Sequence, residues 1–169
     1  MYWTRTANAG GLLEIGGRRV LLDGVCTALG GYEGTPPDLL RQLLEQRIDL
    51  IAFTHCHADH FLPAFVGEYL RRWPDTMVMG PAEIGRELAP SPVIQTSADL
   101  GGVRIHSVPT RHIGGSFRQL SHQSVVIQGA GACLWFTGDA SPTQFRTLSL
   151  PRPDTLLVPF AFAATETGW

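Results

Sequence analysis

The sequence contains no lysine: all 13 of its basic residues are arginine, set against 15 acidic ones, for a formal net charge of −2. The arginines are scattered rather than clustered, which reads as compositional bias. This balance lacks the bulk positive charge of a nucleic-acid groove. No apolar run approaches the ~20 residues of a membrane span. The opening stretch, MYWTRTANAGG, lacks the basic-then-apolar pattern of a signal peptide. Cysteine is scarce: Cys26, Cys56 and Cys133 are odd in number and widely spaced, which excludes a disulfide framework and a CxxC metal knuckle. Without an export signal, a reducing cytoplasm is the expected location.

What is present points to a globular chain. Its 169 residues suit one domain over 1–169. At 44% hydrophobic and 17% charged it is too apolar for a disordered chain. A fold of this size buries roughly 70% of its extended-chain surface. The 19 glycines and 12 prolines imply many turns and short elements.

Strands are expected over 2–7, 11–16 and 18–23, the last two forming a hairpin. Pro36-Pro37 opens a helix with Leu39, Leu40, Leu43 and Leu44 on one face. Asp49 to Thr54 reads as a strand buried on both faces. A helix over 61–73, a strand over 76–79 and a short helix over 81–88 follow. Strands near 93–96, 103–109, 123–128 and 132–137, a short helix near 142–149 and a strand over 155–158 complete the reading. Helices thus cover a mixed sheet from outside.

The chemistry concentrates in Thr54-His55-Cys56-His57-Ala58-Asp59-His60, directly after the buried strand. Three of the six histidines fall here. Residues two apart on an extended chain project to one side, so His55 and His57 can face one ion. If the chain then turns into a helix, Asp59 and His60 can face a second. Imidazole and carboxylate suit zinc, and imidazole also suits iron. The alternation turns Cys56 away, towards a buried and inert position.

This HxHxDH segment resembles the metallo-β-lactamase superfamily. GLLEIGGRRVLLDG is similar to that family's first hairpin, VPTRH to the segment carrying its third histidine, and LWFTGD to the strand delivering its bridging carboxylate. The resemblance implies an α/β fold, a four-layer αββα sandwich, whose C-terminal unit is incomplete here. It also implies one metal site of His55, His57 and His112, and a second of Asp59 and His60, with Asp139 bridging. Asp23 ends the hairpin and is expected to accept hydrogen bonds that order the histidine loop. The family's second site gains a further histidine after the bridging aspartate. No histidine follows His122 here, which leaves that site three protein ligands.

Arg111 and Ser116 flank His112 and are candidates for contact with an anionic substrate. His122 is a rival metal ligand, or else a pocket residue near the substrate. His106 alternates with apolar neighbours on its strand and reads as structural.

The resemblance implies a metal-dependent hydrolase in which a metal-bound hydroxide attacks an ester-type bond. Zinc is the expected cofactor, as two ions with a weaker second site, and manganese or iron are the alternatives. Asp59 is expected to be catalytic, orienting the nucleophile and passing its proton to the leaving group. The substrate is expected to be a small anionic molecule. PTRHIGGS is closer to the branch of tRNA 3′-processing endonucleases, N-acyl phosphatidylethanolamine phospholipase D and ascorbate-6-phosphate lactonase, which favours a phosphodiester or phosphorylated lactone. A tRNA substrate is disfavoured by the negative charge and the lack of an RNA-gripping arm. Two rivals stand beside this: a mononuclear iron oxygenase built on His55, His112 and Asp139, and a degenerate, non-catalytic metal-binding member. The chain ends at Gly168-Trp169, about where the family adds another helix and strand. This suggests truncation or a minimal variant, with self-association through the apolar C-terminal region.

Overall fold

A computed structural model describes residues 1–88, 92–117 and 119–158, with the backbone alone at 142 and 143. Two sheets stack face to face. The first has six strands in sequence order: β1 (Tyr2–Arg5), β2 (Gly11–Ile15), β3 (Arg18–Leu22), β4 (Leu50–Ala52), β5 (Met77–Met79) and β6 (Ile94–Gln95). β1, β2 and β3 form an antiparallel meander, and β4, β5 and β6 then add in parallel. The parallel steps need crossovers. Helix α1 (Pro37–Glu45) supplies the first and α2 (Pro63–Arg72) the second, each with proline at its start. Helix α3 (Ala82–Glu87) lies between β5 and β6.

The second sheet runs β11 (Thr155–Leu157), β10 (Ala132–Phe136), β9 (His122–Gly129), β8 (Arg104–Thr110) and β7 (Ser97–Asp99). Only the β10–β11 pair is parallel. The sequence does not predict β7, because Ser97-Ala98-Asp99 has no apolar alternation. Its pairing is set by β8, where Ser97 faces His106.

Strand alternation sorts the apolar residues into layers. Leu13, Ile15, Val20, Leu22, Leu50 and Met79 meet Ile105, Val125, Ile127, Leu134 and Phe136 between the sheets. Leu12, Leu21, Ile51, Phe53 and Val78 face outward and pack on Leu43, Phe65, Val66, Tyr69 and Ile84 of the helices. β4 is buried on both faces, as its continuous apolar run predicts. The outer face of the second sheet carries Val108, Val126 and Cys133, with Trp135, Leu148 and Leu150 packed against them.

The helix expected near 142–149 is instead a 3-10 turn, Pro142–Arg146. Thr147 and Ser149 have weak helix propensity and Pro151 follows, so the turn does not extend. Cys56, expected buried, is half-buried and packs against the helix-side core. No helix among the described residues is long and apolar enough to cross a membrane. Trp169, named in the expected self-association, lies outside the described residues.

Candidate metal centre

The candidate residues converge on one edge of the sandwich. Asp23 follows β3, Thr54 to His60 follow β4, His112 follows β8 and Asp139 follows β10. β9 runs antiparallel to both β8 and β10, so its first residue, His122, lies beside their C-terminal ends, opposite Thr110. Gln123 ties the two sheets together here. Its backbone N–H donates to the Thr54 carbonyl (2.9 Å), and its side-chain amide donates to the Phe53 carbonyl (3.2 Å).

A short ladder joins the two remaining segments. His112 and Ala140 form a β-bridge, Ile113 N–H donates to the Asp139 carbonyl (2.8 Å) and Ser141 N–H donates to the Arg111 carbonyl (3.0 Å). Gly138 turns the chain between β10 and Asp139 with φ +53°. A Cβ there would stand 2.5 Å from the Thr54 side chain, so only glycine fits.

The donor atoms of His55, His57 and His112 all lie within 4.8 Å of one another. Oδ2 of Asp139 lies 3.5 Å from Nε2 of His112 and 3.5 Å from Nε2 of His60. His60 Nε2 is in turn 3.9 Å from Oδ2 of Asp59. Asp139 therefore stands between a three-imidazole group and the Asp59–His60 pair.

Asp23, His55 and His60 form another close trio, but the Asp23 oxygens are committed to hydrogen bonds. Oδ1 accepts from Thr54 N–H (2.8 Å), and Oδ2 accepts from the Thr54 hydroxyl (2.6 Å) and His60 Nδ1 (2.8 Å). This trio is a hydrogen-bond network. Asp23 is fully buried and holds φ +42°, a left-handed conformation costing of order 1–3 kcal/mol for most side chains. Aspartate tolerates it better than most.

The network fixes which ring nitrogen His55, His60 and His112 present. The Thr54 proton goes to Asp23, so the Thr54 oxygen accepts from His55 Nδ1 at 3.0 Å. His60 donates through Nδ1 to Asp23, and His112 donates through Nδ1 to the Ile113 carbonyl. Each imidazole thus turns Nε2 to the centre. Among the described residues, Nε2 of His55, His112 and His122 is buried without a hydrogen-bond partner. An unmet buried polar atom costs about 1–3 kcal/mol. Three such unpartnered imidazole nitrogens suit a divalent ion.

Electrostatics follow from crowding. Burial, then the neighbouring imidazoles of His60, His122, His112 and His57, pushes His55 far below the ordinary imidazole value. Burial and then His112 lower His57. Burial and then His112 bring His122 down to about 3. His60 goes the other way. Burial disfavours its charge, but its bonds to Asp139 and Asp23 prevail and raise it to about 10. Asp139 is correspondingly lowered, because His60 outweighs the burial that would raise it. The opposite charges favoured on these two side chains face each other across 3.5 Å.

The flanking candidates divide. Arg111 is exposed and anchored through its backbone, where Gln144 accepts from its N–H (2.6 Å) and donates to its carbonyl (3.0 Å). Ser116 is exposed on the 3-10 turn Gly115–Phe117. It is Phe117 whose ring meets the site, 5.0 Å from His57 and 4.9 Å from His112 between ring centres. Sequence reading passes over Phe117; the only signal is an aromatic residue soon after the third histidine. His106 is half-buried on β8. A cleft of about 730 Å³ opens on Asp59, His60 and Asp139, with Trp3, Tyr32, Phe136 and Leu156 as apolar wall and Arg5 on its rim.

Residues 18–168 match the beta-lactamase superfamily domain. The chain belongs to this superfamily. Its two-sheet architecture is the metallo-β-lactamase fold. Igni18, a metallo hydrolase from Ignicoccus hospitalis, is similar at 20% identity and a TM-score of 0.64, over 91% of this chain and 68% of that one. An isothiocyanate hydrolase from Delia radicum gut bacteria gives 18% and 0.66, over 91% and 69%. CmlA, a diiron beta-hydroxylase from Streptomyces venezuelae, gives 23% and 0.63, over 89% of this chain but 33% of its own length. These likenesses establish the fold. No curated protein matches the chain.

Proposed function

We propose that this chain is a metal-dependent hydrolase of an anionic ester. His55, His57 and His112 would hold one divalent ion and Asp59 and His60 a second, with Asp139 placed to serve both. The observation that carries this reading is the position of Asp139, whose Oδ2 is 3.5 Å from Nε2 of both His60 and His112. A bound divalent ion supplies a Lewis acid and lowers the pKa of coordinated water to about 7. Zinc suits the nitrogen and carboxylate donors, with manganese or iron as alternatives.

The protein's own residues supply the rest. Asp23 and Thr54 lock the His55 and His60 rings, so the donors need little reorganisation. Asp59, partly exposed beside the cleft, accepts a proton at its carboxylate and returns it to the leaving group. Phe117 shields His57 and His112 from bulk water. The apolar wall with Arg5 on the rim suits a substrate with an apolar body and an anionic head. A phosphodiester or phosphorylated lactone fits that description.

The mononuclear iron oxygenase leaves the Asp59–His60 pair without a role, and that pair favours the hydrolase. The test is hydrolysis of bis(p-nitrophenyl) phosphate and a phosphorylated lactone by protein purified without chelator. Turnover should disappear with chelator, return with metal and be lost in Asp59→Asn. A metal-loaded protein that consumes oxygen and hydrolyses neither substrate would overturn the reading.

A further inference from the structure

His122 is absent from the ligand set above, yet its environment matches that of the ligands. It is 5% exposed, and its ring centre lies 5.1 Å from His55 and 5.6 Å from His112. A chain of hydroxyls fixes its tautomer. Ser124 donates to the Thr137 carbonyl (3.0 Å), so its oxygen must accept from Thr110 (3.1 Å). The Thr110 proton is thereby used, and its oxygen accepts from His122 Nδ1 (2.8 Å). Nε2 then carries a lone pair that is buried and, among the described residues, without a hydrogen-bond partner; Nε2 of His55 and His112 is likewise buried and unpartnered among them. No solvent reaches this atom, so there is no room for water to satisfy it. A bare metal ion is smaller than water and suits an imidazole lone pair.

We infer that His122 is a further ligand, through Nε2, of the ion held by His55, His57 and His112. The inference rests on the metal centre proposed above. With metal–nitrogen bonds of 2.0–2.1 Å, two imidazoles sharing an ion have ring centres roughly 4.5–5.2 Å apart. The pairs His55–His57, His55–His112 and His57–His112 stand at 4.6, 4.8 and 5.0 Å. His122 fits this range against His55 and exceeds it slightly against His112. The donor atoms within 4.8 Å of one another are those of His55, His57 and His112, so ligation by His122 requires its ring to move towards them.

The test loads the whole chain with cobalt(II) and compares it with His122→Ala and His122→Cys. In His122→Ala, the affinity for the first cobalt should fall about tenfold or more, by analogy with the loss of supporting groups around metal sites. In His122→Cys, a sulfur-to-cobalt charge-transfer band should appear in the near ultraviolet beyond any band of the parent protein. A purely structural role for His122 does not produce that band. Failure of both effects, with cobalt still bound by the parent and circular dichroism unchanged, overturns the assignment and leaves the hydrolase reading standing. If the parent binds no cobalt, both fall. Should His122→Ala not fold, the cysteine variant decides alone.

Discussion

Nδ1 of His60 lies 2.8 Å from Oδ2 of Asp23, and both side chains are sealed from solvent. The same carboxylate also takes two bonds from Thr54, so three donors converge on two oxygens. In Asp23→Asn one oxygen becomes an NH2 group that meets donors. The variant should lose about 1–3 kcal/mol of stability, and metal affinity should fall about 10–100-fold because His60 and His55 lose their orientation. Urea unfolding of the metal-free protein and metal titration read the two effects separately. Unchanged affinity would remove Asp23 from the support of the centre.

The residues of this centre differ in how visible they are in sequence. His55, His57, Asp59 and His60 lie on one short loop, and their spacing brings them together without knowledge of the fold. His112 and Asp139 follow from resemblance, since only the bridge between residues 112 and 140 shows why they meet. His122 depends on the β8–β9 register and on hydroxyls of Thr110 and Ser124 that no periodicity reports. Phe117 was invisible for the same reason: its contact with His57 is set by a loop, not by an element. Buried, apolar β4 was legible, whereas β7 was not, because its pairing is imposed by its neighbour.

Gly138 tests the placement of the bridging carboxylate. Its φ of +53° and the 2.5 Å approach of Thr54 leave no space for a methyl group. Gly138→Ala must shift either Asp139 or Thr54, and each supports the centre. The variant should be destabilised by about 1–3 kcal/mol, from strain and overpacking together. Calorimetric titration should show weaker metal binding. Tight binding would mean that Asp139 can move without loss.

Phe117 covers two of the imidazoles while 44% exposed itself. Removing a ring so exposed should alter stability by no more than about 0.5 kcal/mol. Phe117→Ala should nevertheless hasten metal loss to excess chelator, because water and chelator gain a path to His57 and His112. Stopped-flow release rates measure this. A rate equal to that of the parent, with Tm unchanged, would assign the ring no shielding role.

Metal removal offers the broadest test of the centre. Nε2 of His55, His112 and His122 is buried and, among the described residues, lacks a hydrogen-bond partner, while the bonds to Asp139 and Asp23 favour the charged form of His60. An ion that binds only the folded chain stabilises it by about 2.7 kcal/mol at one hundred times its Kd. For a chain of this size each kcal/mol moves Tm by roughly 2–4 °C, so chelation should lower Tm by roughly 5–10 °C. Differential scanning calorimetry at several free-metal concentrations should show Tm rising with the logarithm of metal concentration. The gain should shrink in His112→Ala, which removes one of the three close donors. A Tm indifferent to both chelator and metal would mean that this histidine cluster holds no ion.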